Sequence, residues 1–217
     1  IKSMNLIEAR GLSHSFEHLL YNNINLDIKE KESVAVLGVS GSGKSSLINN
    51  LSTLLKPKSG TVNLNGKDDI YNRSDNEILA IRKNEIGIIF QSHYLFRGFS
   101  VLENLKVASI LTNQKIDMEL LEKFGISGLL KQQISELSGG QQQRLSIARV
   151  LQKRPKIIFA DEPTGNLDKN TSTKVMEVVF DYLVKYHAAM LIATHDMEIA
   201  KMCNRIFYLK DCKLVEV

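Results

Sequence analysis

A glycine-rich loop that ends in lysine and serine constrains the fold of this 217-residue chain more than any other feature. It matches the pattern G-x-x-x-x-G-K-S and reads Gly38-Val39-Ser40-Gly41-Ser42-Gly43-Lys44-Ser45. An apolar strand pattern precedes the loop and a helical pattern follows it, which is the context that gives this motif its meaning. Glycines let backbone N–H groups close around phosphate oxygens, and the helix N-terminus adds partial positive charge. The loop predicts a nucleotide site in which Lys44 contacts the β- and γ-phosphates and Ser45 holds Mg²⁺.

A pair of acids at the end of an apolar run is the second candidate part of this site. Residues 157–160 read as a buried strand that leads directly into Asp161 and Glu162. Acids at the carboxyl end of a buried parallel strand face the ligand crevice. We expect Asp161 to bind Mg²⁺, directly or through water, and Glu162 to act as the general base on the attacking water. Without the loop, the same pair would equally fit a charged strand-to-loop junction.

Short apolar runs that alternate with helical patterns predict the fold class. The runs lie at 34–37, 86–90, 157–160 and 190–193, and continuous apolar runs are typical of strands buried on both faces. Helical patterns lie at 47–55, where we expect Pro57 to stop the helix, and at 175–183. This alternation predicts an α/β fold with a mainly parallel sheet.

Two other patterns predict additions to this core. Residues 24–28 and 61–65 alternate between apolar and polar, which favours half-exposed antiparallel strands in an N-terminal β subdomain. The stretch from about 100 to 152 has no convincing strand pattern and reads as helices. We therefore expect one domain over 1–217, with its core at about 1–91 and 155–217 and an inserted α-helical subdomain at about 92–154.

Composition and charge narrow the functional classes. The net charge of +4 is small and scattered, so nucleic-acid binding is not expected. No apolar run approaches the roughly 18–20 residues needed to span a bilayer, so a membrane role has to come through a partner. Two cysteines, Cys203 and Cys212, are too few for a disulfide framework and fit a reducing compartment.

Two smaller features carry weaker expectations. His14 and His18 are four residues apart but lack carboxylates at ligand spacing, so no metal is expected there. The start of the chain, residues 1–4, is too short and polar for a signal peptide. The natural chain is expected either to begin at Met4 or to have lost a leading methionine.

A pentapeptide between the loop and the acidic strand names a family. Leu137-Ser138-Gly139-Gly140-Gln141 is similar to the signature sequence of ATP-binding-cassette (ABC) ATPases, and the resemblance extends over nearly the whole chain. Ser138 with Gln141 three residues later is a capping box, which predicts a helix running toward Gln152. The exposed N–H groups at its start form a second candidate anion site. A phosphate loop alone would also fit kinases, GTPases and helicases.

The family resemblance assigns roles to single residues elsewhere. Gln91 matches the glutamine loop, which implies contact with the metal and the γ-phosphate, and His195 matches the switch histidine. Phe16 aligns with the aromatic residue that stacks on adenine, where tyrosine is more usual. Residues 163–168 resemble the loop that ends in a nucleotide-binding aspartate, here Asp168. The implied catalytic residues are Glu162, His195 and Gln91, and the implied metal ligands are Ser45, Gln91 and Asp161.

The resemblance also implies partners. In the family, two ATP molecules are held between two head-to-tail copies, each between one copy's phosphate loop and the other copy's Ser138-Gly139-Gly140-Gln141. Separate transmembrane permease subunits complete the transporter on the cytoplasmic side of the bacterial inner membrane. Tyr94, Phe96 and Phe99 belong to an apolar cluster after Gln91, and we expect about half of this cluster to remain exposed as a permease contact.

Two segments point to a branch of the family. Thr164-Gly165-Asn166-Leu167-Asp168 resembles the branch that holds lipoprotein-releasing, macrolide-exporting and cell-division ATPases. Residues 91–104 look most like the lipoprotein-releasing ATPases, with departures at 94, 96, 97 and 98. The implied function is to power lipoprotein release from the inner membrane. The alternatives are a macrolide-type or cell-division ATPase and, from a different class, a soluble ABC ATPase that acts on ribosomes or DNA.

Overall fold

Two β-sheets form the framework of the computed structural model, which describes residues 4–217. The expectation about the natural start of the chain concerns residues 1–3, which lie outside the described residues. The strands are β1 (Asn5–Ser15), β2 (Leu19–Lys29), β3 (Ser33–Leu37), β4 (Ser59–Leu64), β5 (Ile86–Ile89), β6 (Ile157–Asp161), β7 (Ala189–Ala193), β8 (Arg205–Lys210) and β9 (Lys213–Glu216). The helices are α1 (Lys44–Leu51), α2 (Asp75–Asn84), α3 (Val101–Thr112), α4 (Met118–Lys123), α5 (Gly139–Gln152), α6 (Lys169–Tyr186) and α7 (Met197–Lys201).

The larger sheet confirms the predicted parallel core. Its order is β5-β6-β7-β3-β8-β9, in which all neighbours pair in parallel except β8 and β9. The four apolar runs supply β3, β5, β6 and β7. The sheet's last two strands, β8 and β9, were not predicted from the sequence.

The smaller sheet confirms the antiparallel strands expected near the N-terminus. Its order is β2-β1-β4, and both pairs are antiparallel. Strand β1 lies at the centre of this sheet and pairs with both β2 and β4.

Successive residues of the parallel strands point into two different cores, because side chains alternate across a strand. In β3, Ala35 and Leu37 belong to one core, whereas Val34 and Val36 belong to the other. The first core includes residues of α3, α5, α6 and α7, and the second includes residues of α1 and of the smaller sheet. The parallel sheet is therefore covered on both faces, which explains its continuous apolar runs.

The helix after the phosphate loop is shorter than predicted. It ends at Leu51 instead of reaching Leu55, and Pro57 is not what stops it. The Tyr71 hydroxyl lies 2.6 Å from the carbonyl oxygens of both Asn50 and Leu55, and the Asn50 side chain also donates to the Leu55 carbonyl. These contacts, together with the positive φ of 73° at Thr53, turn the chain out of the helix.

The segment between β5 and β6 is helical, as expected. It contributes α3, α4 and α5, and no β-strand is found between Ser100 and Gln152. Over residues 4–217, none of the helices combines the length and the apolar character that crossing a membrane requires.

Candidate nucleotide site

The phosphate loop connects β3 to α1 and leaves the start of α1 open. Gly43 occupies the N-cap position with φ of 101°, no side chain caps the helix, and no acidic residue lies in its first turn. A Cβ atom at Gly43 would lie 3.1 Å from the Leu20 Cβ, so both conformation and space favour glycine there. The unpaired N–H groups and the helix dipole make this helix start suitable for an anion.

A cleft of about 770 Å³ opens above this loop. Its lining brings together residues that the sequence analysis took from five separate segments. They are Phe16, Gly38, Val39, Ser40, Gly41, Gly43, Lys44, Ser45, Gln91, Asp161, Glu162 and His195, with Leu20 and Ser46 in addition. Ser42, Asp168 and residues 138–141 do not line it.

Lys44 lies across the loop in this cleft. Its ammonium group donates to the carbonyl oxygen of Gly38 at 2.8 Å and to that of Val39 at 3.1 Å. The positive charge of Lys44 is thereby held beside the open start of α1, and both the charge and the helix dipole attract an anion.

Two neighbouring parallel strands place the acidic pair and the histidine at the same edge of the sheet. Asp161 ends β6 opposite Ala193, the last residue of β7, so Glu162 and His195 follow adjacent strands. The His195 Nδ1 atom is 2.8 Å from Glu162 Oε1, and the Thr194 hydroxyl donates to Glu162 Oε2 at 3.3 Å. Both carboxylate oxygens of Glu162 are therefore engaged.

The backbone at Glu162 is unusual. Its φ is +47°, a left-handed conformation that is uncommon for residues other than glycine and that recurs at functional sites. Its N–H still donates to the Ala193 carbonyl at 2.9 Å, so the turn stays attached to β7. The result is a side chain directed across to β7 and not along its own strand.

Gln91 enters the cleft from the loop that follows β5. A Cβ atom on Gly165 would lie 3.3 Å from Gln91 Nε2, and Asn166 Nδ2 donates to the Gln91 carbonyl at 3.2 Å. The glutamine loop is thus packed against residues 163–168, the loop that follows the acidic pair.

Phe16 lies in the turn between β1 and β2 and presents an exposed ring beside the phosphate loop. Its side chain is 63% exposed, and it contacts His14 edge-on with ring centroids 4.9 Å apart. The His14 ring nitrogens are buried without a hydrogen-bond partner in the described chain. Burial, with a smaller effect from the charge of Lys58, lowers the pKa of His14.

The signature residues start α5 as the capping box predicts. The Ser138 hydroxyl accepts from the Gln141 N–H at 3.2 Å, and Gln141 Oε1 accepts from the Ser138 N–H at 2.8 Å. The first turn of α5 contains no acidic residue. The N–H groups of Gly139 and Gly140, at the first two helical positions, are left for another acceptor.

Asp168 caps α6 rather than lining the cleft. Its side chain accepts from the Thr171 N–H at 3.0 Å and from the Thr171 hydroxyl at 2.6 Å. These two bonds hold the pKa of Asp168 below its ordinary value. Its role toward nucleotide remains a prediction from the family resemblance.

The cleft contains a donor set that fits Mg²⁺. The hydroxyl of Ser45, the carboxylate of Asp161 and the amide oxygen of Gln91 are hard oxygen donors, and all three residues line the cleft. Within residues 4–217 there is no group of three or more histidines, cysteines or acids that would form an all-protein metal cage, at His14 or elsewhere. Mg²⁺ usually binds through one or two carboxylates together with substrate phosphates, so a cage is not required.

Sequence reasoning missed Thr194 and the polar side chains that connect the loops. Thr194 was visible as the residue before His195, but its bond to Glu162 depends on the pairing of β6 with β7. His93 also bonds both Gln142 and Asn166 across the fold, and nothing in the sequence marks these three side chains as a group.

Comparison with known proteins places the chain in a family. The ABC transporter family model matches residues 21–165, and the chain belongs to this family. It is an ATP-hydrolysing ABC subunit, as the phosphate loop, the acidic pair and the signature indicate together.

Individual relatives are similar over almost the full length. The lipoprotein-releasing system ATP-binding protein LolD of Bdellovibrio bacteriovorus is 38% identical over 198 residues, covering 88% of this chain and 90% of that protein. The LolD of Wigglesworthia glossinidia brevipalpis is 35% identical over 225 residues, covering 99% and 98%. The dimeric post-hydrolysis structure of the ATP-binding cassette MJ0796, bound to ADP and Pi, matches with a TM-score of 0.86 at 31% identity, covering 96% of each chain.

Proposed function

We propose that this chain hydrolyses ATP between two copies of itself and thereby powers permease subunits that release lipoproteins from the bacterial inner membrane. Lipoprotein release is proposed because the chain is 35–38% identical to lipoprotein-releasing ATP-binding proteins over 88–99% of its length. The chain would then work at the cytoplasmic face of that membrane, held there by its permease.

The residues of the cleft divide the chemistry among them. Lys44 and the start of α1 bind the β- and γ-phosphates, and the Phe16 ring stacks on the adenine. Ser45, Asp161 and Gln91 would hold Mg²⁺, which when bound neutralises charge on the phosphate oxygens. Glu162 takes the proton of the attacking water, and His195 orients this carboxylate before the γ-phosphate is present.

The position of the signature supports a site shared by two chains. Ser138 and its neighbours do not line the cleft that contains Lys44, yet they leave N–H groups free at the start of α5. A second copy, placed head to tail, brings this start to the γ-phosphate of the first. The similarity to MJ0796, whose structure is dimeric, favours the same arrangement here.

An open groove next to the glutamine loop is the proposed permease contact. It has a volume of about 340 Å³ and is lined by residues of α3, α5 and β5 together with Tyr94 and Phe96. These aromatic side chains are 67% and 47% exposed, and Phe99 nearby is 42% exposed. Val101 is buried and Leu95 is half-buried, so the cluster divides between packing and exposure.

The charge of the groove indicates the charge of the permease segment that docks there. Among the described residues that line it, the charged ones are Arg82, Arg149 and Lys153, all basic. Burial lowers the pKa of Arg149 and that of Lys153. We infer a docking helix with an apolar face and a carboxylate, because a charge-assisted bond to an acid compensates a desolvated cation.

Identifying the membrane partner of the chain tests the proposed role in lipoprotein release. Tagged chain is purified from native membranes in mild detergent, and co-purifying proteins are identified by mass spectrometry. We expect permease subunits whose reconstituted complex releases lipoproteins from proteoliposomes only with hydrolysable ATP. If the chain co-purifies with a macrolide-type or cell-division permease, or with ribosomes or DNA, the proposed role in lipoprotein release is contradicted. The assignment of the ATPase site would not be affected by that result.

A further inference from the structure

One histidine of the glutamine loop bridges helix α5 and the loop that follows the acidic pair. His93 follows Gln91 by two residues, and its side chain is half-buried. Its Nδ1 atom lies 3.3 Å from Oε1 of Gln142 in α5, and its Nε2 atom lies 3.3 Å from Nδ2 of Asn166. Gln142 comes directly after the signature, and Asn166 lies in the loop that ends at Asp168.

The orientation of each amide is set by contacts that do not involve the histidine. Nε2 of Gln142 donates to the carbonyl oxygens of Ile134 and Leu137 at 3.3 and 3.1 Å, so Gln142 presents its oxygen to His93. Nδ2 of Asn166 donates to the Gln91 carbonyl at 3.2 Å, so Asn166 presents an N–H to His93.

These orientations allow one form of the imidazole. Nδ1 must carry a proton to donate to Gln142, and Nε2 must be bare to accept from Asn166. The opposite tautomer breaks both bonds, and the doubly protonated ring places two N–H groups against each other at Asn166. The neutral ring with its proton on Nδ1 therefore satisfies both neighbours.

We propose that His93, as the neutral ring protonated at Nδ1, is a positioning residue that connects the glutamine loop to the signature helix and to the loop carrying Asp168. It is not among the residues that line the cleft containing Lys44. It transmits movement of Gln91 to the signature helix, which faces the second copy in the shared site, and in this respect it rests on the proposed function. The guanidinium of Arg149 in α5 donates to the carbonyl oxygens of Tyr94 and His93 at 2.9 and 3.5 Å and not to the ring.

The connection involves more than the single ring. Asn166 bonds both His93 and the Gln91 backbone, and Gln143, next to Gln142, donates to the Pro163 carbonyl at 2.5 Å. Two consecutive glutamines of α5 thus hold the glutamine loop and the loop after Glu162. Loss of the His93 bonds frees one side of this arrangement while leaving the phosphate loop as it is.

Three substitutions separate the two bonds from the shape of the ring. His93→Asn keeps a donor near the Nδ1 position, His93→Gln keeps an acceptor near the Nε2 position, and His93→Phe keeps the ring without either. His187→Asn is the control, because His187 is an exposed histidine at the end of α6 that contacts Glu30. Thermal melting of each variant checks that it folds.

Steady-state hydrolysis by the isolated subunit tests the role. For His93→Phe we expect kcat to fall about tenfold, as the loss of a pair of hydrogen bonds allows, with KM for ATP within about twofold. His93→Asn and His93→Gln should each recover part of that loss, and His187→Asn should match the unsubstituted chain. Wild-type kcat in His93→Phe, or equal losses in all three variants, would overturn the proposal.

The nitrogen resonances of ¹⁵N-labelled histidine test the tautomer directly, assigned by comparison with His93→Phe. We expect the proton on Nδ1, and a proton on Nε2 would overturn the assignment. These outcomes are distinct from failure of the proposed function: an unsubstituted chain without ATPase activity would count against the site itself, whereas unchanged kcat in His93→Phe would count against His93 alone.

Discussion

The Nδ1 atom of His195 lies 2.8 Å from a carboxylate oxygen of Glu162, although 32 residues separate the two in the chain. The contact exists because β6 and β7 are parallel neighbours and each residue follows the end of its strand. The candidate base is therefore oriented by the fold itself. In the proposed function, the nucleotide and the second copy then complete the site.

Replacing Glu162 by glutamine tests whether this carboxylate is the base. Gln keeps the shape but cannot take a proton at neutral pH, so we expect kcat to fall by about 10²–10⁴ while ATP binding persists. Lys44→Ala should instead weaken ATP binding, and Glu198→Gln, an exposed acid on α7, should change neither. Near wild-type turnover by Glu162→Gln would contradict the assignment.

Thr194 is expected to contribute by holding Glu162 in place. Thr194→Val retains the volume of this buried side chain but removes the hydroxyl, which donates to Glu162 Oε2 at 3.3 Å and accepts from the Asp196 N–H at 3.0 Å. One such bond is worth about 1 kcal/mol, so kcat should fall several-fold, far less than in Glu162→Gln. Thr173→Val on α6 is the matched control, since its hydroxyl bonds only to the Lys169 carbonyl. A loss as large as that of Glu162→Gln would mean that the threonine does more than position the carboxylate.

The exposed aromatics after the glutamine loop should matter to the permease and not to isolated ATP hydrolysis. Single alanine substitutions at Tyr94, Phe96 and Phe99 should include at least one that weakens permease binding by about thirtyfold, the size of a 2 kcal/mol contact. Ile110→Ala is the control, because Ile110 is 80% exposed on α3 but does not line the groove. If all three aromatic variants assemble and transport normally, the docking surface lies elsewhere.

The two cysteines should react differently with thiol reagents. Burial raises the pKa of Cys203 to about 12, so at neutral pH this thiol stays protonated and the reactive thiolate is scarce. Cys212 lies in the turn between β8 and β9 and lines a cavity beside the phosphate loop. Brief alkylation at pH 7.5, read by peptide mass spectrometry, should modify Cys212 alone, and both residues should react in denaturant. Rapid alkylation of Cys203 in the folded chain would show that its environment is more open than the structure indicates.

Local patterns predicted the parts of this molecule that local physics determines. The phosphate loop, the buried strands and the Ser138 cap each depend on residues within a few positions of one another. The end of α1 was wrong in the sequence analysis because it depends on Tyr71, about twenty residues away. The Glu162–Thr194 bond and the His93 contacts were missed for the same reason, since side chains distant in sequence meet only once the strands are paired.

Sedimentation of the Glu162→Gln chain tests the shared site most directly. Closing a mostly open population, from about 1:99 to 99:1, needs about 5.5 kcal/mol of differential ligand binding, which two ATP molecules that each contact both copies can supply. Ser138→Arg in the same background is the control, because a bulky charged residue at the start of α5 obstructs the γ-phosphate without altering the cleft that contains Lys44. We expect Glu162→Gln to sediment as a dimer with saturating MgATP and as a monomer with MgADP, and the double variant to remain monomeric with both. Monomeric Glu162→Gln chain under both nucleotides would contradict a site built from two copies.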